Sequence, residues 1–255
     1  MSNVNSNSVP STETLYIVMP AYNEAENLPH VIGRWYDCLR LAGLDSRLVI
    51  LDDGSRDNTS EVMGELTELY PQLRYERREN AGHGTACLRA YRLALHEGAD
   101  WVFQTDSDDQ TDPEEFRSFW EARENNDFVI GNRKGRQDGW SRVLVTNVLR
   151  LVVRLRLRAS VPDANCPFRL MRAEALAKCL ETIPEEFFLS NVLLSATAVR
   201  RKFRIAWLPI TFAPRRRGKN SINIPRIFRI GRRSWRELGQ ARRQLDSALA
   251  REAGD

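Results

Sequence analysis

The sequence predicts an α/β fold, a mostly parallel sheet with helices on both faces. Three observations carry this. Short apolar runs alternate with stretches of helical spacing from Leu15 to Arg133. Each run but the third closes in a polar cluster at its carboxyl end. At 255 residues the chain is long enough for one large α/β domain or two small ones.

"LYIVM" (Leu15–Met19) reads as a buried strand and runs into "PAYNE". "AENLPHVIGRWYDCLRLAG" has helical spacing and stops near Gly43. "RLVILDDGS" is a second strand meeting a polar turn. "DNTSEVMGELTELY" is a helix with Asp57, Asn58 or Thr59 as its N-cap. "QLRYERR" is a third strand, "ENAGHG" a loop and "TACLRAYRLALHEGA" the next helix. "DWVFQTDSD" is the fourth strand. "DPEEFRSFWEAREN" is a helix with Pro113 near its first position, and "DFVIGNR" is the fifth strand.

The second half is less regular. An Arg-rich apolar stretch, Val143–Arg158, is broken by Arg150, Arg154 and Arg156, so it cannot cross a bilayer as one helix. It suits an amphipathic helix on a membrane surface or a core helix. "VPDANCPFRLM" follows, then helices around Glu174–Leu180 and Phe187–Val199, the strand "FRIAWLPITF" and the loop "APRRRGKNSIN". A last helix starts near Pro225, with apolar Ile227, Ile230, Leu238, Ala241, Leu245 and Leu249 at near-heptad spacing. That stripe suits docking on the domain or on a partner helix, including a second copy, and Gly231 and Gly239 weaken it. Three regions result: a polar, disordered leader (1–13), an α/β domain (14–223) and a basic C-terminal helix (224–255).

From Arg200 onward 16 Lys and Arg face four acids, a block that suits an anionic partner. Nucleic acid is the weakest of these partners, since no RNA or DNA motif is present and aromatics are not interleaved with the basic run. Cys38, Cys87, Cys166 and Cys179 are far apart and form no metal-ligand pair, as in a reduced cytosolic protein. No G-x-G-x-x-G follows the first strand, which argues against a dinucleotide-binding oxidoreductase.

The chemistry is expected at the strand ends, where ligands of parallel sheets bind. In "DSDDQTDPEE", Asp106 and Asp108 point the same way on an extended chain, and Gln110 joins them if the extension continues. Two carboxylates and an amide oxygen suit Mg²⁺ or Mn²⁺, with a diphosphate completing the shell. The plainer reading is an acidic turn capping the next helix, the role expected of Asp112, Glu114 and Glu115. Asp109 has no assigned role. "DDGS" reads as a turn or as a carboxylate for a base or ribose, and "PAYNE" as a turn or as a place for Tyr22 to stack on a base.

Taken in order, "VMPAYNEAENL", "VILDDGSRDNT", "NAGHGTA", "TDSDDQTDPEE" and "VIGNR" resemble the family 2 glycosyltransferases, which have the Rossmann-like GT-A fold. The resemblance runs from about Leu15 to Asn223. The D-x-D-x-Q form, "GNR", "PDANCPFRL" and the "RRRG" loop make it closest to the polyprenyl-phosphate mannose and glucose synthases. It implies that Pro20, Tyr22 and Glu24 line a nucleotide pocket and that Asp52 or Asp53 holds base or ribose. Asp106, Ser107 and Asp108 would bind the nucleotide sugar, and Asp106, Asp108 and Gln110 would hold Mg²⁺ or Mn²⁺ against the diphosphate of a UDP- or GDP-sugar. Arg133, Arg142 and Arg215 match phosphate-binding positions for the acceptor. Asp108, Arg133 and Asp163 would act at the reaction centre, with Asp163 the candidate base if the acceptor is a hydroxyl of a glycan, lipid or small metabolite. The implied enzyme is an inverting transferase acting on polyprenyl phosphate, peripheral at the cytoplasmic face of the plasma membrane. Three positions depart from the pattern: His83 where Lys is frequent, Pro167 where Gly is usual and Asn191 where Glu is frequent.

Overall fold

The computed structural model describes residues 12–133, 149–213 and 224–253, with side chains from 235 onward in the last stretch. The elements are β1 (Leu15–Ala21), α1 (Leu28–Tyr36), β2 (Arg47–Asp52), α2 (Thr59–Leu69), β3 (Leu73–Arg77), α3 (His83–His96), β4 (Trp101–Gln104), α4 (Phe116–Ala122) and β5 (Phe128–Arg133). After these come β6 (Arg169–Arg172), α5 (Ala173–Leu180), α6 (Ser190–Arg200), β7 (Ile205–Ile210) and α7 (Ile224–Glu252).

The seven strands form one sheet in the order β3-β2-β1-β4-β6-β5-β7. All neighbours are parallel except β6, which runs antiparallel between β4 and β5. Every residue of β1 is buried, as a strand covered on both faces must be. The sequence reading placed β1 to β5 and β7 but left β6 inside an irregular stretch. Four residues bounded by two arginines offer no apolar run to read.

Strand order reverses between β1 and β4. The chain builds outward from β1 through β2 to β3, then returns to pair β4 on the other side of β1. A crevice opens at the carboxyl ends of such strands. An aromatic cluster fixes the wall beneath it: Phe103 of β4 packs against Trp35 of α1, Phe116 of α4 and Phe168, at centroid distances of 5.4, 4.7 and 4.8 Å. Rings of this size each bury about 150–250 Å² and dominate the local packing energy.

The packed domain includes Glu13, whose carboxylate accepts from Trp101 Nε1 (2.9 Å) and Arg123 Nε (2.9 Å). Residues 1–11 of the expected leader lie outside the described residues. Of the Arg-rich stretch, residues 149–157 are helical, Val153–Leu157 with π-helical winding, ending at Arg158 in the left-handed region (φ 53°). The stripe of α7 is docked on the chain's own domain, with Leu238, Ala241 and Leu245 buried. Gly239 has a packing reason. A Cβ there would lie 2.2 Å from Arg156 Nη2, so glycine lets the guanidinium cross the helix and reach the Trp235 ring (4.8 Å). Among the described residues no helix is long and apolar enough to cross a membrane.

Candidate active site

A cavity of about 360 Å³ opens at the carboxyl ends of β1, β2 and β4. Its lining includes Pro20, Tyr22 and Glu24 from the first strand end, Asp53 from the second, and Asp106, Ser107 and Asp108 from the fourth. Asn80, Gly82 and His83 close it at the start of α3. Three polar clusters far apart in sequence thus share one wall because their strands are neighbours.

The loops are locked to one another. Asn23 adopts φ 55°, and its Oδ1 accepts from Arg56 N (2.8 Å) while its own N–H donates to Ser55 Oγ (2.9 Å). Gly54 takes φ 72°, and a Cβ on it would lie 2.9 Å from Asn80 N. The structure separates Asp52 from Asp53. Asp52 is fully buried and accepts from Ser55 N (2.8 Å), Ser55 Oγ (2.6 Å) and Tyr75 OH (2.7 Å). Burial first, with the Asp52 carboxylate adding to it, pushes the Tyr75 phenol up to about 12. Asp53 faces the cavity and accepts from Ala81 N (2.9 Å) and Gly82 N (2.8 Å), so it shapes the loop that leads into α3.

The acidic stretch divides by partner. Asp106 and Asp108 line the cavity, and Ser107 turns inward to donate to Pro20 O (3.0 Å). Asp109, in the left-handed region (φ 57°), is held by Arg34 Nη1 (2.7 Å) and lies 3.5 Å from His30 Nε2. It anchors the turn to α1, a role that sequence reasoning missed. Asp112 caps the following turn by accepting from Glu114 N (3.2 Å), with Pro113 at its first position. Glu115 accepts from Thr211 N (2.9 Å) and ties that turn to the end of β7. Gln110 does not line the cavity, and its Nε2 donates to Ala213 O (2.7 Å).

The metal expectation can be set against one atom. Asp106 Oδ1 is buried and has no hydrogen-bond partner, while His83 Nε2 lies 3.8 Å away. An unsatisfied buried carboxylate oxygen is costly unless a cation meets it. Among the described residues no three His, Cys, Asp or Glu side chains are grouped to hold a metal alone. A pair of carboxylates completed by diphosphate oxygens and water is the usual magnesium arrangement. The residues present therefore fit a divalent cation that shares its shell with a phosphate ligand.

Arg133, at the end of β5, and Asp163 form a buried bidentate pair, Nε–Oδ2 2.7 Å and Nη2–Oδ1 2.8 Å, with side chains 8% and 7% exposed. Asp163 keeps the Arg133 guanidinium charged against the opposing effect of burial, and Asp106 adds to this at longer range. Gly131, the first residue of "GNR", passes where a Cβ would lie 2.8 Å from Cys166 Sγ. Arg142 and Arg215 lie outside the described residues.

Two of the departing positions are joined beneath the cavity. His83 Nε2 is 3.6 Å from Cys87 Sγ, which also receives Gln104 Nε2 (3.5 Å). The Tyr91 hydroxyl donates to Gln104 Oε1 and lies 3.2 Å from the Asn191 amide. The Asn191 carbonyl accepts from the wholly buried Arg169 (3.2 Å). The one available signal was Gln104: an amide inside an apolar strand requires partners.

Residues 16–180 match the family "Glycosyl transferase family 2", and the chain belongs to that family and is a glycosyltransferase. It is 30% identical over 213 residues to the undecaprenyl-phosphate mannosyltransferase of Micrococcus luteus, covering 81% of this chain and 86% of that one. It is 27% identical to the polyprenol monophosphomannose synthase of Mycolicibacterium smegmatis, covering 85% and 83%. Its fold is that of glucosyl-3-phosphoglycerate synthase from Mycobacterium tuberculosis, solved with Mn²⁺ and UDP-glucose. That match has a TM-score of 0.61 at 20% identity and covers 86% of this chain and 76% of that one. The sheet and its helices are thus of the GT-A type.

Proposed function

We propose that this glycosyltransferase takes a sugar from a UDP- or GDP-sugar, with Mg²⁺ or Mn²⁺, and transfers it with inversion to a polyprenyl phosphate. The site of action would be the cytoplasmic face of the plasma membrane. The observation that carries the reading is the buried Asp106 Oδ1, which accepts no hydrogen bond and has His83 Nε2 only at 3.8 Å, at a cavity edged by Asp108. The names of the two relatives above support a lipid phosphate as acceptor.

Tyr22, 43% exposed on the rim, offers a ring face for the base. Asp53 and Glu24 offer acceptors to base or ribose. Asp106 and Asp108 would hold the cation, while Gln110, outside the cavity and bonded to Ala213 O, would steady the turn that follows them. When bound, the ion would supply Lewis-acid stabilisation of the leaving diphosphate. In the transfer, an acceptor phosphate oxygen forms a bond to the anomeric carbon. The bond from that carbon to the diphosphate oxygen breaks, and the electron pair leaves with the nucleotide. That oxygen is already ionised, so it needs holding rather than deprotonation.

Arginine is the side chain suited to the holding. Arg133 commits Nε and Nη2 to Asp163, leaving Nη1 as the nitrogen to meet an anion. Arg142 and Arg215 are proposed as its companions. The same pairing counts against Asp163 as a base for a hydroxyl acceptor, because protonating it would break a bidentate ion pair.

The test is calorimetric binding of UDP-, GDP- and TDP-sugars in Mn²⁺ or in EDTA. One donor binding only with metal is expected. Equal binding in EDTA would remove the role given to Asp106 and Asp108.

A further inference from the structure

The segment 149–158, "LRLVVRLRLR", contains six leucines and valines on a helix-like path, and it presents two kinds of surface. Val153 and Leu157 are buried in the domain. Arg150, Leu151, Arg154, Leu155 and Arg158 are exposed, recurring at the spacing of one helical stripe, with Leu151 56% and Leu155 60% exposed. Leu44 and Leu69 are also exposed, but neither alternates with arginine. Beside the stripe stands Trp235 of α7, 43% exposed and stacked under Arg156, whose Nε donates to Trp235 O (3.1 Å). No acid occurs between Gly139 and Pro162.

We infer that Leu151, Leu155 and Trp235, framed by Arg150, Arg154 and Arg158, form the face by which the protein seats on an anionic lipid bilayer. The charge pattern selects this occupant. Three cations without a carboxylate match a negative headgroup layer, and leucine side chains between them match the acyl boundary just below it. Leucines would gain nothing against a nucleic-acid backbone, where stacking aromatics are the useful partners. A protein groove would be expected to answer arginines with carboxylates and would not need a bare cationic frame.

The seat is tied to the proposed acceptor wall. Arg150 Nε donates to Pro162 O (2.6 Å), and the next residue, Asp163, holds Arg133. A bilayer against the stripe therefore lies one loop from the arginine proposed to meet the acceptor phosphate. The inference thus deepens the lipid-phosphate reading, but the surface can be tested without it.

The test is sedimentation of the full-length protein with vesicles free of any polyprenyl phosphate, made of phosphatidylcholine alone or of equal parts phosphatidylcholine and phosphatidylglycerol. Wild type is expected to sediment with the mixed vesicles and much less with the neutral ones. Leu151→Ser/Leu155→Ser should weaken this roughly tenfold or more. Arg154→Gln/Arg158→Gln should weaken it about fivefold per arginine. Arg117→Gln on α4, exposed and away from the stripe, should leave it unchanged. Donor binding measured in parallel should be equal in all four proteins, showing that they are folded. Wild-type sedimentation by the leucine variant would overturn the inference. So would absence of wild-type binding, or RNA binding that depends on the arginines but not on the leucines. If vesicles bind as expected and no sugar reaches a lipid phosphate in detergent, the acceptor reading fails while the seat stands.

Discussion

Replacing Asp163 by Asn tests whether this carboxylate is a structural partner or a base. Its two oxygens meet Arg133 through Nε, Nη2 and the backbone N–H, at 2.7, 2.8 and 3.3 Å. Both side chains are more than nine-tenths buried. An asparagine oxygen in the Oδ2 place keeps the bonds from Nε and the backbone. Its NH₂ would then oppose Nη2, donor against donor, and the Arg133 charge would lose its counterion. Breaking a buried pair from one side costs about 3–5 kcal/mol, and the bonds that survive put this change near 3 kcal/mol. That is a large part of a total stability of about 5–15 kcal/mol. Urea unfolding at pH 7 of wild type, Asp163→Asn, Arg133→Met and the Arg133→Met/Asp163→Leu double variant measures it. Each single variant should be strongly destabilised and the double variant less so than the sum, with a coupling of about 3 kcal/mol. If Asp163→Asn unfolds like wild type while turnover is abolished, the carboxylate is a catalytic group and the pairing argument fails.

Asp52→Asn should cost about 1–3 kcal/mol, because three donors depend on that buried carboxylate, while donor affinity measured by calorimetry stays within a few-fold of wild type. Equal stability with lost donor binding would reverse the roles given to Asp52 and Asp53. Gly84→Ala places a Cβ 2.2 Å from Phe187 O and 2.3 Å from Phe188 O, so the first turn of α3 must move; a loss of about 1–3 kcal/mol in denaturant unfolding is expected. Asp127 accepts from Arg204 Nη2 (2.8 Å) and Arg204 N (3.0 Å), and these bonds hold its pKa below the usual carboxylate value. Its stabilising contribution is present above about pH 4 and lost as pH falls through the lower folded value, so the melting temperatures of wild type and Asp127→Asn should differ at pH 7 and converge in acid.

The parallel half of the sheet was legible because β1, β2, β4 and β5 are each continuous buried runs with a polar break at the carboxyl end. The break marked the strand end, and the shared direction of the strands gathered the breaks into one cavity. β6 was not legible. It starts at Arg169, whose burial depends on distant acceptors, Asn191 O and Ser195 Oγ, besides the nearby Cys166 O. Asp109 was unassigned for the same reason, since its partner Arg34 is 75 residues away. Neighbouring Asp52 and Asp53 looked interchangeable, but Tyr75 OH is bonded to the first and the Ala81 and Gly82 N–H groups to the second. Gly239 read as a weak point in a helix, whereas the structure uses its missing Cβ to pass Arg156. In each case local pattern identified a residue's type, and a long-range contact decided its role.

The most direct test of the account is transfer itself. Purified protein, Mn²⁺, the donor identified by binding and a detergent-solubilised polyprenyl phosphate should yield a lipid-linked sugar. The reaction should be lost in EDTA and in Asp108→Asn. Efficient transfer in EDTA, or no lipid-linked product across the whole donor panel, would contradict it.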